Sequence, residues 1–371
     1  MPKASKAAVL LTVPHLNRTA SPYNEMMSIA KYLPGDEFGL TICSLRDGGF
    51  AETAPILNEM GVPCFVAPFR PTGQTTKHFF ASYCEQKTID RYGPFQIQHS
   101  LDFTSSPFEG IMARARSRHF VYNQRNLNEN GHKRLLKIKA ACAHRIISIS
   151  TTVSQFLVSM GIPPTIIRKI YNGLDIDPGE RAPQALPRSD SYLLCVGQFE
   201  RRKRHQDAIR AFADLSTEYP QLQLFLAGNT FDQNYLNELH QLAEQLGVLK
   251  RIQFLGPRTD VLDLMRNARA LLLCSDHEAF GWVLVEAMSV GLPVISSAVD
   301  GPSELIEHEK TGLLVPVGDV QGYACQIRRV LQDPQFASTL AVEARSAVEQ
   351  KYSARNMVQQ IQDVYREVLA L

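Results

Sequence analysis

The chain's 371 residues predict an α/β protein made of two Rossmann-like, doubly wound domains, and three observations carry that expectation. Short apolar runs alternate with helical-period segments from one end to the other, the pattern of parallel strands joined by crossover helices. The length exceeds what one hydrophobic core comfortably organises. A polar, proline-bearing stretch at 176–190, directly after Tyr171-Asn172-Gly173-Leu174-Asp175, separates an earlier series of runs from a later one.

The first series opens at 7–13, an apolar run too short to span a bilayer and followed by no small-residue cleavage site, hence a buried strand. It continues at 40–44, 63–67, 95–99, 119–123, 145–149 and 166–170, with amphipathic stretches at 24–33, 53–60 and 133–143 between them. The second series falls at 192–196, 221–227, 251–255, 270–274, 293–296 and 312–315. The expected domains are therefore 1–175 and 176–353, with the terminal helix 354–371 a candidate to rejoin the first. Two such sheets in tandem are expected to leave a ligand cleft at the carboxyl ends of their strands.

Composition narrows the class. Apolar residues make up 44% and charged residues 20%, as in an ordinary globular protein. A formal net charge of +2 gives no general argument for nucleic acid as a partner. The seven cysteines are scattered without any Cys-x-x-Cys, and several sit in apolar runs as small hydrophobes. That usage predicts a reducing, cytoplasmic compartment and neither a disulfide framework nor a zinc site. No Gly-x-Gly-x-x-Gly follows a strand, which argues against a nicotinamide-dependent dehydrogenase.

Two segments carry the chemistry. Gly197 and Gln198 follow the 192–196 strand and lead into four consecutive cations, Arg201, Arg202, Lys203 and Arg204, at the mouth of a helix. Unpaired backbone N–H groups and positive charge at such a loop suit a diphosphate, as well as an ordinary solvated turn. The second segment runs from Glu278 through Ala279, Phe280, Gly281, Trp282 and Val283 to Glu286. Eight helical steps would separate the two carboxylates by about 12 Å. The acid/base pair of a glycoside hydrolase stands about 5–9.5 Å apart. Two acceptors at opposite ends of one long ligand, hydroxyl groups at each, fit that spacing better.

Taken together these pieces resemble the retaining, two-Rossmann-domain (GT-B) glycosyltransferases of family four, the group 1 glycosyltransferases. The resemblance runs through Asn172-Gly-x-Asp175, Val196-Gly197 with Lys203, Phe254-Leu-Gly256 and Ser275-x-x-Glu278-x-Phe-Gly281. It continues with Glu286-Ala-Met-x-x-Gly-x-Pro-Val294, Asp300-Gly-x-x-Glu304 and Thr311-Gly-Leu-Leu314, in order and at the family's spacing from about 170 to 320. It implies two domains facing across a cleft, an N-terminal acceptor domain and a C-terminal donor domain. It implies transfer of a sugar from a UDP- or GDP-linked donor to a hydroxyl acceptor, with retention and no metal or other cofactor. Glu278 is then the carboxylate on the transferred sugar and Glu286 the one on the ribose. Lys203 holds the diphosphate, with the N–H groups of Phe280, Gly281, Trp282 and Val283. His99, close to Asp102, is expected at the cleft edge on sugar or acceptor, as a third catalytic group. Arg258 is placed to meet the base.

Two departures from the family pattern bear on this. Gln198 stands where the family usually has an Arg, so Arg201 or Arg202 is expected to supply that charge. The first loop, usually Gly-rich, has no glycine here; Asn17, Arg18, Thr19 and Ser21 are its candidates for phosphate or acceptor contact. Asp175-Ile176-Asp177 has the form of a metal-binding Asp-x-Asp but lies in the connection between domains. Lys133, Arg134, Lys137 and Lys139 punctuate an apolar helix, a pattern for an anionic membrane surface or for a solvated face. A same-fold epimerase or phosphorylase, and a non-catalytic nucleotide-sugar binder, are the alternative readings.

Overall fold

The computed structural model describes residues 6–17, 21–67, 88–102, 104–127, 133–176 and 192–371. Two compact units emerge, Met1–Asp175 with Ser353–Leu371, and Ile176–Tyr352. Each of the thirteen apolar runs becomes a strand, with ends displaced by up to two residues.

The first unit is a seven-stranded sheet in the order β3-β2-β1-β4-β5-β6-β7, every neighbouring pair parallel. Its strands are β1 (Ala7–Val13), β2 (Phe38–Ser44), β3 (Cys64–Val66), β4 (Ile97–Ser100), β5 (His119–Gln124), β6 (Arg145–Ser148) and β7 (Ile167–Lys169). The helices are α1 (Ser21–Tyr32), α2 (Phe50–Glu59), α3 (Phe108–Ala115), α4 (Lys133–Cys142) and α5 (Thr151–Ser159). Val9, Leu10, Leu11 and Val13 are all inaccessible, because both faces of a parallel sheet are covered by its crossover helices. Ser150 caps α5, its hydroxyl accepting from the Val153 N–H at 3.2 Å.

The terminal helix, α13 (Ala354–Leu369), belongs to this unit and packs against α1. Val358, Ile361, Tyr365 and Val368 recur at helical spacing and enter the same core as Val9, Leu11, Met26 and Ile29. Gly173 makes the return possible: a Cβ there would stand 2.5 Å from the Ser353 carbonyl oxygen. One residue on, the Ala354 N–H donates to the Leu174 carbonyl at 2.8 Å.

The second unit is a six-stranded parallel sheet, β10-β9-β8-β11-β12-β13. Its strands are β8 (Tyr192–Val196), β9 (Gln223–Ala227), β10 (Ile252–Gly256), β11 (Ala270–Leu273), β12 (Val294–Ser297) and β13 (Leu313–Val315). Its helices are α6 (His205–Leu215), α7 (Gln233–Gln245), α8 (Val261–Asn267), α9 (Trp282–Ser289), α10 (Asp300–Leu305), α11 (Val320–Gln332) and α12 (Pro334–Lys351). Leu193, Cys195, Leu272 and Cys274 join α6, α7 and α11 in one large core, while the alternate residues Leu194, Leu271 and Leu273 are equally buried. Among the described residues no helix is long and apolar enough to cross a membrane.

Candidate functional site

In the second sheet the strand order turns back between β8 and β11, so the chain winds outward in both directions from that pair. Leu193 pairs with Ala270 and Leu194 with Leu271, so the two strands end at nearly the same height and their following loops meet. This is the place where an open α/β sheet presents a crevice to ligands. The loop after β8 carries Gly197, Gln198 and the 3-10 turn Arg201–Lys203; the loop after β11 carries Glu278 and leads into α9.

The two loops are laced together. The Asp276 N–H donates to the Arg202 carbonyl at 2.9 Å, and the Lys203 ammonium pairs with the Glu278 carboxylate. The Lys203 stem lies over Gly197, whose absent Cβ would be 3.7 Å from Lys203 Cδ. Gly228 closes the floor, because a Cβ there would fall 1.8 Å from the Gly197 carbonyl oxygen. On the other side the Gly301 N–H donates to the Glu278 carbonyl at 2.9 Å, and His277 pairs with Asp300. Gly301 also meets the Phe280 backbone so closely that a Cβ would stand 2.4 Å from it. Glycine is therefore required at 228 and 301, where the backbones of these loops meet, and the sequence piece Asp300-Gly acquires a steric reason.

Gly281 has φ +92° and precedes α9 without a side-chain cap. Helix α9 begins only at Trp282, so Glu278 sits on the loop and the eight-step helical separation from Glu286 does not apply. Lys203 and Glu278 are thus held beside a helix start whose first N–H groups and dipole favour an anion. Glu286 lies one turn into α9. Burial pushes its carboxyl up to about 7, against a smaller opposing effect of the hydrogen bond from Trp282.

The four-cation run does not act as one cluster. Lys203 meets Glu278, and Arg202 pairs with Glu200 at 2.7 Å within electrostatic reach of Glu278 and Asp276. Arg201 turns instead to Glu238 on α7, with contacts of 2.9 and 2.6 Å, and Arg204 to Asp207 at 2.7 Å. Arg202, not Arg201, is therefore the cation available beside exposed Gln198. Arg258 follows β10 and is exposed; Asp260 holds its guanidinium through two contacts, at 2.8 and 2.5 Å. Ala279, Trp282 and Val283 are partly buried around the helix start, and Phe280 is buried.

His99 is corrected by the structure. It lies within β4 with no accessible surface, and both ring nitrogens are engaged, Nδ1 by Tyr365 Oη and Nε2 by Asn123 Oδ1, each at 2.7 Å. Burial holds its imidazole neutral, with a pKa lowered to about 4. The network extends from Asn123 to Glu25, which pairs with Arg125. His99 thus ties α13 to the sheet and is not a surface group. His99→Ala is expected to lower the unfolding free energy in urea by about 3 kcal/mol, through a cavity and two deprived partners. A variant as stable as its parent would return the imidazole to the candidates for chemistry.

Of the first-loop residues, Asn17 lies against Gly48 and Gly49, where Gly49 has φ +76°. Arg18 and Thr19 fall outside the described residues, as do the side chain of Ser21 and the whole of Asp177. Asp175 is engaged by Lys31 at 2.6 Å and Tyr32 at 2.5 Å, which ties the end of the first unit to α1. No group of three or more potential metal ligands occurs among the described residues. Sequence reasoning passed over Glu109. It is buried where the first sheet turns back between β1 and β4, and it accepts from Thr12 and, at 2.7 Å, from Ser100. A glutamate in the first turn of a helix has an ordinary explanation, and only the topology marks its position.

Comparison with known proteins bears on the second unit and on the fold. Residues 177–347 match the family of glycosyl transferases group 1. The N-acetyl-alpha-D-glucosaminyl L-malate synthase of Bacillus anthracis is 35% identical over 181 residues, 49% of this chain and 46% of that protein. The lipopolysaccharide core biosynthesis glycosyltransferase LpsD of Rhizobium meliloti is 29% identical over 188 residues, 51% of this chain and 53% of that protein. The matches thus span about half the length of these relatives. Among solved structures, Anabaena Alr3699/HepE, in complex with UDP and glucose, superposes with a TM-score of 0.80 at 23% identity, covering 97% of this chain and 100% of that one. A glycosyltransferase from Rickettsia africae gives 0.81 at 19% identity, covering 99% of both chains. The fold is that of the GT-B class, two Rossmann-like units in one chain. The second unit, which carries the site just described, matches the group 1 glycosyltransferases over residues 177–347.

Proposed function

We propose that this protein is a retaining glycosyltransferase that moves a sugar from a nucleotide diphosphate sugar to a hydroxyl acceptor without a metal. The observation that carries the reading is the convergence of Lys203 and Glu278 at the turning point of the second sheet, beside the uncapped start of α9. As the glycosidic bond to the donor breaks, negative charge gathers on the departing diphosphate. Lys203, Arg202 and the first N–H groups of α9 stabilise it there, already oriented before the reaction begins. Glu278 accepts from hydroxyls of the transferred sugar, Glu286 from those of the ribose, and Arg258 packs on the base. The first unit takes the acceptor. UDP is the nucleotide of choice, by analogy with the HepE complex.

The test is release of labelled glucose from UDP-glucose, to water or to added hydroxyl compounds, in excess EDTA. Transfer or slow hydrolysis at an undiminished rate is expected. Complete loss of turnover that manganese restores would overturn the metal-independent mechanism, and a free sugar epimer as sole product would favour the epimerase.

The acceptor is proposed to lie at an anionic membrane surface. Lys133, Arg134, Leu135, Lys137 and Ile138 of α4 are all exposed, cations beside two large aliphatic side chains. Lys139 does not share that face: it is buried and donates to the carbonyls of Asp102 and Thr104 at 3.0 and 2.9 Å. At about 1 kcal/mol per cation near an anionic leaflet, the three exposed ones give reversible attachment. Co-flotation with phosphatidylglycerol vesicles is expected and should disappear when Lys133, Arg134 and Lys137 are all changed to Glu. A parent protein that stays in the dense fraction removes the membrane from the account. A reducing, cytoplasmic compartment is part of this reading, on the scattered cysteine usage of the sequence.

A further inference from the structure

Glu278 is held at two points that differ in kind. Its carboxylate pairs through Oε2 with the Lys203 ammonium. Its main chain is held from the other side, where the Gly301 N–H donates to its carbonyl at 2.9 Å. The residues immediately before these two, His277 and Asp300, are paired as well, Nδ1 of the imidazole with Oδ2 of the carboxylate. One backbone bond and one side-chain contact, in adjacent register, clasp the loop after β11 to the start of α10.

The clasp strains the chain. Asp300 has φ +20°, a backbone angle that residues with a side chain rarely adopt. Such angles persist only where the surroundings over-determine them, and they concentrate at functional sites. An ordinary surface ion pair contributes little and requires no such backbone. The next part of the loop has a separate anchor. Phe280 is buried, and its ring meets that of Tyr352 edge-on, with centroids 6.4 Å apart. Loss of the clasp therefore loosens the half of the loop that carries Glu278 and leaves the half that leads into α9.

We propose that His277 and Asp300 are positioning residues for sugar transfer: their contact fixes the Glu278 carboxylate on the transferred sugar and leaves the grip on the nucleoside diphosphate untouched. The inference rests on the donor reading of this site and adds two residues to it.

The experiment measures two quantities on the full chain, kcat for release of glucose from UDP-glucose and, by calorimetry, the affinity for UDP, which lacks the sugar. His277→Ala and Asp300→Gly are each expected to lower kcat about tenfold, on the order of the loss when a positioned group shifts by a fraction of an ångström. Affinity for UDP should stay within about twofold, which separates a fault at the sugar from one in the whole loop. The double variant should be no slower than the slower single one, because residues that act through one shared contact do not add. His277→Asn, whose amide nitrogen can stand in for Nδ1, should stay within about threefold of the parent. Parent-like kcat in both single variants would overturn the proposal, as would losses that multiply in the double variant. A fall in UDP affinity as large as the fall in kcat would show general collapse of the loop and overturn it too. A parent chain that neither binds UDP nor releases glucose sinks the donor reading and this proposal together, whereas an active parent matched by its variants sinks the clasp alone.

Discussion

Lys203→Ala is expected to lower turnover with UDP-glucose by about 10²–10³-fold, the usual loss when one preorganised stabiliser of developing negative charge is removed. The structure sharpens the expectation in two ways. Lys203 is the partner of Glu278, so its removal also frees a half-buried carboxylate beside the donor diphosphate, where like charges repel. Its neighbour Arg201 makes the contrasting control. That guanidinium is bound to Glu238 on α7 and not to Glu278, and Arg201→Ala should change turnover less than about threefold, because an exposed ion pair is screened by solvent and contributes little. Steady-state kinetics of the two variants decides the matter. Equal effects would mean that the cationic run acts as a diffuse patch and that the geometry of the 3-10 turn is irrelevant.

The second large effect concerns Glu286, where function and stability should pull in opposite directions. Its carboxyl titrates near 7 in the folded protein, raised by burial from the ordinary 4.5. A carboxyl raised on folding holds its proton more tightly folded than unfolded. Its cost is therefore absent below about pH 4.5, grows as pH climbs from there to about 7, and is fully present above. Glu286→Gln removes that cost. At pH 8 the variant should be more stable than the parent to urea by roughly 1–3 kcal/mol, a range discounted for the partial exposure of the group. The difference should vanish near pH 4. The same variant should bind UDP about tenfold more weakly, having lost the charged acceptor for the ribose hydroxyls. Thermal shift with UDP, read at pH 8, measures both. A variant no more stable than its parent at pH 8 would show that Glu286 is solvated enough to ionise freely.

Much of this site was legible before any fold was known, because it is written in local sequence. A glycine that must accept a positive φ, as Gly281 does before α9, is visible as a Phe-Gly at the start of a helical pattern. A cation after a strand is visible too. The direction in which each cation points was not. Arg201, Arg202, Lys203 and Arg204 are equivalent as letters, and the 3-10 turn distributes them among Glu238, Glu200, Glu278 and Asp207. His99 failed for a related reason. A histidine near the end of a strand reads as a cleft residue, but its real environment is set by Tyr365, which lies 266 residues further along the chain.

The alternation of apolar runs with helical segments was enough by itself to determine two parallel α/β units, because strand and helix periodicities are local and both faces of such a sheet must be apolar. Tertiary structure alone decided the rest. It placed α13 in the first unit, set Glu109 and His99 in buried networks, and sent the members of one run of cations to different carboxylates. Those outcomes depend on contacts between residues remote in sequence, for which a single chain of letters carries no period.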